Sequence, residues 1–380
     1  MAIFPIPVSV ITGFLGAGKT TLLNGLLKDP RLPDTAVIIN EFGDVAIDHL
    51  LVEQSSDGVI QLSDGCLCCT VRGELVDTLA DLVERLQTGR IASLKRVIIE
   101  TTGLADPAPV LQSIMGHPAL LHAYRLDGVV TLVDAVNGAV TLNAHIEAVK
   151  QVAVADRLVL TKTDLVQEAS MLADLRTRLR TLNPGAAIID IADASGDLVK
   201  CGLYDPETKT ADVRRWLGEA GDTGHDHEHD GHHEHDHDGH HGVHPHDHAG
   251  RHDHRHDERV RTFTLLHDGP LPYASVEMFL DLLLSQHGDR LLRLKGIIEV
   301  ADDPARPLVV HAVQSLLHPP ARLPHWPDAT RGTRLVLIGV DLPEDYVRRL
   351  FGAITGHPAI DTPDRTALAD NPLAIAGFKG

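Results

Sequence analysis

The sequence predicts an α/β fold: a mostly parallel sheet flanked by helices, followed by a smaller α+β C-terminal domain. Three observations predict it. Short, β-branched apolar runs alternate with Leu-rich helical stretches over the first two hundred residues. A Gly-rich loop, Gly13 to Thr20, follows the first run. A His/Asp/Glu-rich segment then separates this half from a stretch with a different strand and helix pattern. These divide the chain into 1–220, a linker at 221–258, and 259–380.

The apolar runs are Val8–Thr12, Val37–Asn40, Val97–Glu100, Gly128–Asp134, Arg157–Leu160 and Ile188–Ile191. They are nearly free of charge, as strands buried on both faces of a parallel sheet must be. Leu22, Leu23, Leu26 and Leu27 have the spacing of a helix packing on such a sheet.

Gly13-Phe14-Leu15-Gly16-Ala17-Gly18-Lys19-Thr20 fits G-x-x-x-x-G-K-[ST], between a strand and a helix beginning near Lys19. This is the phosphate loop of a P-loop NTPase. Its backbone N–H groups (Gly13, Gly16, Ala17, Gly18), with Thr21 in the helix that follows, cradle phosphates. Lys19 is expected to reach the β/γ phosphates, and the Thr20 hydroxyl to ligate Mg²⁺.

Asn40-Glu41-Phe42-Gly43-Asp44-Val45-Ala46-Ile47-Asp48 follows the second strand, so its acids emerge at the nucleotide edge. Asp48 is a candidate to act near Mg²⁺ or to position the attacking water, and Glu41 to ligate a transferred metal. Asp44 is as readily a loop acid satisfying backbone N–H groups.

Cys66-Leu67-Cys68-Cys69 holds three of the chain's four cysteines. Clustered thiolates select soft metals such as Zn²⁺, and three ligands with one open position suit transfer better than permanent structure. A redox pair, Cys66 with Cys69, is the rival reading. Cys201 stands alone and reads as structural.

Glu100-Thr101-Thr102-Gly103 ends a buried strand, where Glu100 can hold the Mg²⁺ shell or orient a water and the Gly103 N–H can sense a γ-phosphate. Thr161-Lys162-Thr163-Asp164 follows another strand. Asp164 can accept from the guanine N1–H and N2–H₂ edge, which adenine does not present, and Lys162 can lay its stem over the base. Asp164 can equally cap the following helix.

Fifteen of the 25 histidines lie between His225 and His256, in a stretch with almost no large apolar side chains. It reads as a disordered linker with an accessory affinity for Zn²⁺, Ni²⁺ or Co²⁺. Beyond it, Arg261–Leu266, Leu291–Val300, Leu308–Val313 and Arg334–Val340 read as strands. Tyr273–Ser285 reads as a helix with Val276, Phe279, Leu280, Leu283 and Leu284 on one face.

The net charge of −19 argues against nucleic acid as a partner. No apolar run is long enough to span a bilayer, and the N-terminus lacks a secretory pattern, so a cytoplasmic protein without a membrane partner is expected.

Taken in order, the phosphate loop, the Asn-Glu-Phe-Gly segment, the Gly65–Cys69 cluster, Glu100–Gly103 and Thr161–Asp164 resemble the CobW-like family of P-loop GTPases, related to the nickel-insertion GTPases of urease and hydrogenase maturation. The likeness extends to Leu291–Gly296, Val309–Gln314 and His318-Pro319-Pro320. It implies GTP hydrolysis coupled to delivery of Zn²⁺, or Co²⁺, to a client metalloprotein, with Cys66, Cys68, Cys69 and Glu41 as metal ligands and GTP and Mg²⁺ as cofactors. Thr161 stands where the family's guanine motif has Asn, which removes the amide's reach. A passive metal store, a cobalt-directed factor of cobalamin synthesis and a small-molecule kinase remain alternatives, as does a homodimer.

Overall fold

The computed structural model describes residues 5–40, 59–62, 70–201, 259–327 and 329–356. Residues 5–201 build a seven-stranded sheet. Its strands are β1 (Ile6–Gly13), β2 (Thr35–Asn40), β3 (Val59–Leu62), β4 (Arg96–Thr101), β5 (Tyr124–Asp134), β6 (Arg157–Thr161) and β7 (Ala187–Asp190), in the order β3-β2-β4-β1-β5-β6-β7. Every pairing is parallel. β1 is central, in register with β4 (Ile11 opposite Glu100) and with β5 (Thr12 opposite Thr131). The phosphate loop therefore leaves the middle of the sheet's C-terminal edge, where the strand order reverses and ligands bind in such sheets.

The expected α/β architecture is present. β5 begins at Tyr124, ahead of the apolar run that announced it. Arg125 and Asp127 interrupt the run's apolar character, and Asp127 tolerates burial because Arg96 Nη1 donates to it at 2.5 Å. β7 stops at Asp190, because Ile191 opens a single 3₁₀ turn.

The helices of this half are α1 (Lys19–Leu27), α2 (Thr70–Gln87), α3 (Ala108–Gly116), α4 (Gly138–Ala144), α5 (Ile146–Ala153) and α6 (Ala169–Leu182). α1 buries Leu22, Leu23 and Leu26, as their spacing required. Each such side chain withdrawn from water stabilises the fold by about 1.5–3 kcal/mol.

The second half forms an antiparallel sheet of β8 (Val260–His267), β9 (Leu291–Ile298), β10 (Leu308–Val313), β11 (Leu316–Leu317) and β13 (Thr333–Val340), in the order β11-β10-β9-β13-β8; β12 (Ala321–Arg322) pairs with β10. α7 (Tyr273–His287) covers it with the predicted apolar face and runs two residues past Ser285. α8 (Glu344–Ile354), which the sequence reading did not identify, adds Val347 and Phe351 to the same core. β9 ends at Ile298, because the Glu299 carbonyl accepts from Leu271 N and Val300 bridges to Leu271 instead.

The two sheets share packing. Val260, Leu292 and Ile338 join a core with Val149, Val152, Leu179 and Leu182, and Val313 joins the core behind α3. Gln112 Nε2 donates to Gln314 Oε1 at 2.9 Å across the junction. Asp156, just before β6, meets Arg293 and Lys295 of β9. Among the described residues no helix is long and apolar enough to cross a membrane.

Candidate functional site

The phosphate loop is shaped by its glycines. Gly13 has φ 144°, and a Cβ there would lie 2.5 Å from the Leu132 carbonyl oxygen, so no other residue fits beside β5. Gly18, at φ 90°, hands the chain into α1 in a left-handed conformation. Lys19 is buried, and its Nζ donates to the Gly13 carbonyl at 2.9 Å and to the Phe14 carbonyl at 3.5 Å. The ammonium thus lies inside its own loop. Ala17 is buried, and Thr21 faces outward on α1.

Thr20 Oγ1 donates to Glu100 Oε1 at 3.4 Å. Glu100 is buried at the end of β4, one strand from the loop. A hydroxyl and a carboxylate this close form the hard-oxygen donor set that suits Mg²⁺. Next to it, Thr101 Oγ1 donates to Thr12 Oγ1 at 2.7 Å, locking the ends of β4 and β1 together.

Gly103 is pressed against the phosphate loop: a Cβ there would sit 2.6 Å from Leu15 N. The chain at Gly103 therefore lies against the phosphate loop.

On the other flank, Thr161 Oγ1 donates to the Ala17 carbonyl at 2.9 Å. The hydroxyl standing where an amide was expected thus ties the end of β6 to the phosphate loop. Lys162 takes a left-handed conformation (φ 56°), and its Nζ contacts Asp134 Oδ2 at 2.7 Å. It is held as an ion pair at the cavity wall. Burial alone would raise the Asp134 carboxyl, but hydrogen bonds from Lys162, Asn137 and Val136 outweigh it and hold the group below the ordinary carboxylate range. Asp164 is exposed inside the 3₁₀ turn Thr163–Leu165, and Lys162, not Asp164, occupies that turn's cap position.

A cavity of about 250 Å³ opens between the phosphate loop, the end of β5, α4 and α5, with Asp134, Asn137, Gln151 and Lys162 among its lining. Phe14 packs on His145 at one side, ring centroids 4.4 Å apart. Asp134, Thr131 and Gln151 were not singled out in the sequence. Thr131 lies within the run Gly128–Asp134 and Asp134 ends it, at the same edge as Glu100, which was the available signal.

Of the predicted residues, Gly13, Gly16, Ala17, Gly18, Lys19, Thr20, Glu100, Gly103, Lys162 and Asp164 fall along this one sheet edge. Glu41, Asp48, Cys66, Cys68, Cys69 and the histidines of 225–256 lie outside the described residues. Among the described residues no group of three or more His, Cys, Asp or Glu is placed to hold a metal ion. Burial pushes the Cys201 thiol up to about 12, with Asp156 and Asp127 nearby, which favours the protonated thiol at neutral pH.

Residues 7–190 match the CobW/HypB/UreG nucleotide-binding domain, and residues 260–355 match the cobalamin synthesis protein cobW C-terminal domain. The chain is 34% identical to the zinc chaperone YjiA of Escherichia coli, over 92% of this chain and 99% of that one. It is 30% identical to the zinc chaperone CobW of a Sinorhizobium species, over 92% and 97%. It is 36% identical to the zinc-regulated GTPase metalloprotein activator 1 of Schizosaccharomyces pombe, over 49% and 46%. The crystal structure of Zn(II)-bound YjiA GTPase from E. coli superposes with a TM-score of 0.64 at 29% identity, covering 93% of this chain and 99% of that one.

Proposed function

The chain belongs to the CobW/HypB/UreG family, and from that premise we propose that it is a GTP-hydrolysing metal chaperone whose cargo is Zn²⁺. The observation that carries the nucleotide half is the preformed loop, with Lys19 Nζ at 2.9 Å from the Gly13 carbonyl and Thr20 Oγ1 at 3.4 Å from Glu100 Oε1. The zinc half is supported by the names of its relatives and by Cys66, Cys68 and Cys69 in the sequence.

GTP binds with its phosphates along the N–H groups of Gly16, Ala17 and Gly18 at the positive end of α1. Lys19 exchanges its loop carbonyls for phosphate oxygens. Thr20 and Glu100 would hold Mg²⁺, which when bound would supply positive charge beside the phosphates. Asp164 selects guanine. Asp48 orients the attacking water, and the Gly103 N–H reads the γ-phosphate.

Cys66, Cys68 and Cys69, with Glu41, hold the zinc on the chain segment between β2 and α2. Hydrolysis alters the hold on zinc and releases it to a client metalloprotein. Linkage then requires zinc to change the affinity for GTP.

The test is to measure GTP affinity with and without Zn²⁺, in the native chain and in Cys66→Ala and Cys68→Ala. A zinc-dependent shift that both substitutions abolish supports the reading, and equal affinities overturn the coupling. Delivery that survives Lys19→Ala would instead mark a passive metal store.

A further inference from the structure

Gln151 lies on α5 and is 1% exposed. Its Nε2 donates to the Gly103 carbonyl at 3.2 Å and to the Ala105 carbonyl at 3.1 Å. Its own backbone carbonyl accepts from Thr131 Oγ1 at 2.7 Å, which fixes this turn of α5 to β5. The preceding residue, Lys150, pairs with Asp106 Oδ2 at 2.8 Å. Asp106 Oδ1 accepts from Ala108 N at 3.0 Å, at the start of α3. Two neighbouring side chains of one helix thus grip both ends of the loop 103–106. That loop touches the phosphate loop at Leu15.

The amide at position 151 is costly as a core residue. Its Oε1 is buried with no hydrogen-bond partner, and it sits in the wall of the cavity beside the phosphate loop. A buried acceptor left unsatisfied destabilises a fold, whereas an apolar side chain of the same shape would not. What the amide provides is the pair of bonds to the Gly103 and Ala105 carbonyls, which an apolar residue cannot make.

We propose that Gln151 is a positioning residue for γ-phosphate recognition: by clamping the Gly103 and Ala105 carbonyls it holds the loop 103–106 against the phosphate loop and so sets the preference for GTP over GDP. This rests on the reading in which the Gly103 N–H meets the γ-phosphate.

The decisive variant is Gln151→Met, which keeps the length of the side chain and removes both donors. Equilibrium affinities for GDP and for a non-hydrolysable GTP analogue are compared with the native chain, together with hydrogen exchange at residues 103–106. Two buried bonds predict a loss of about tenfold or more in affinity for the GTP analogue, with GDP affinity moving less than about threefold. An unchanged GTP-to-GDP ratio in Gln151→Met, with nucleotide-dependent exchange intact in the native chain, overturns the role of Gln151. Identical exchange at 103–106 in the native chain with either nucleotide overturns the γ-phosphate reading itself. If Gln151→Met does not fold, Gln151→Asn keeps the amide on a stem one methylene shorter. It must lower the same ratio, and an unchanged ratio again overturns the proposal.

Discussion

Arg293 donates through Nη2 to both carboxylate oxygens of Asp156, at 2.9 and 3.1 Å, with both side chains almost fully buried. Lys295 Nζ lies 2.7 Å from the same carboxylate, and the Val129 N–H donates to it at 2.9 Å. One carboxylate before β6 thus compensates two cations from β9. Bringing three charges out of water is costly, and removing the single anion leaves both cations uncompensated.

Asp156→Ala is therefore expected to destabilise the chain by about 3–5 kcal/mol in urea unfolding, with Asp156→Asn close behind. Burial alone would raise the Asp156 carboxyl, but Arg293 and Lys295 outweigh it and hold it at about 2. The unfolded carboxyl titrates near 3.9, so this stabilisation is present in full above about pH 4 and is lost as pH falls through about 2. Acid unfolding of Arg293→Met, which removes one of the two compensating cations, should begin at a higher pH than in the native chain.

His311 is 1% exposed, stands in register with Lys295, and stacks on His318 with ring centroids 4.8 Å apart. Burial, reinforced by His318, holds its pKa well below 6.5 despite the Asp156 carboxylate. The unfolded state then binds a proton that the folded state does not, so stability falls as pH drops below about 6.5, by up to about 1.4 kcal/mol per pH unit. His311→Leu should flatten the stability-versus-pH curve between pH 7 and 5 by up to one proton's worth. A parallel curve would show that His311 takes up its proton in the fold as readily as in the unfolded chain.

Thr161→Val removes the bond to the Ala17 carbonyl while keeping the side chain's shape. Affinity for GTP and GDP should fall together, by about three- to tenfold, because the phosphate loop loses a tether that serves both. A change in the GTP-to-GDP ratio would contradict this assignment, and titration with each nucleotide reads it directly.

Asp164→Ala should lower the preference for GTP over ATP by on the order of 10- to 100-fold, the worth of hydrogen bonds to a charged acceptor. Because Asp164 is exposed and caps no helix, the melting temperature should barely move. A large drop in melting temperature with an unchanged preference would return Asp164 to a structural role.

The parallel sheet was legible because strands buried on both faces are written mostly in apolar residues with little charge, as Val8–Thr12 and Val97–Glu100 are. The phosphate loop was legible because backbone geometry forces glycine at Gly13 and Gly18. Pairings between distant side chains were not. Arg293 and Lys295 give β9 the look of a strand with one solvated face, yet every residue of β9 is buried. Their partner, Asp156, lies 137 positions from Arg293 and has no local signature. Gln151 was invisible for the same reason: its task is to hold carbonyls 46 and 48 positions upstream. Thr161 read as a deficit until the carbonyl it binds was located.

The complete burial of β9 has one more consequence. An isolated fragment beginning at 259 would bring Leu292 and an uncompensated Arg293 and Lys295 to its surface, while the other fragment would carry a stranded Asp156. The two regions share packing and ion pairs, and each is expected to lose stability without the other. Melting is expected to be one cooperative event, so a lesion on β9, far from the nucleotide, is expected to lower the melting temperature of the half that carries the phosphate loop as well.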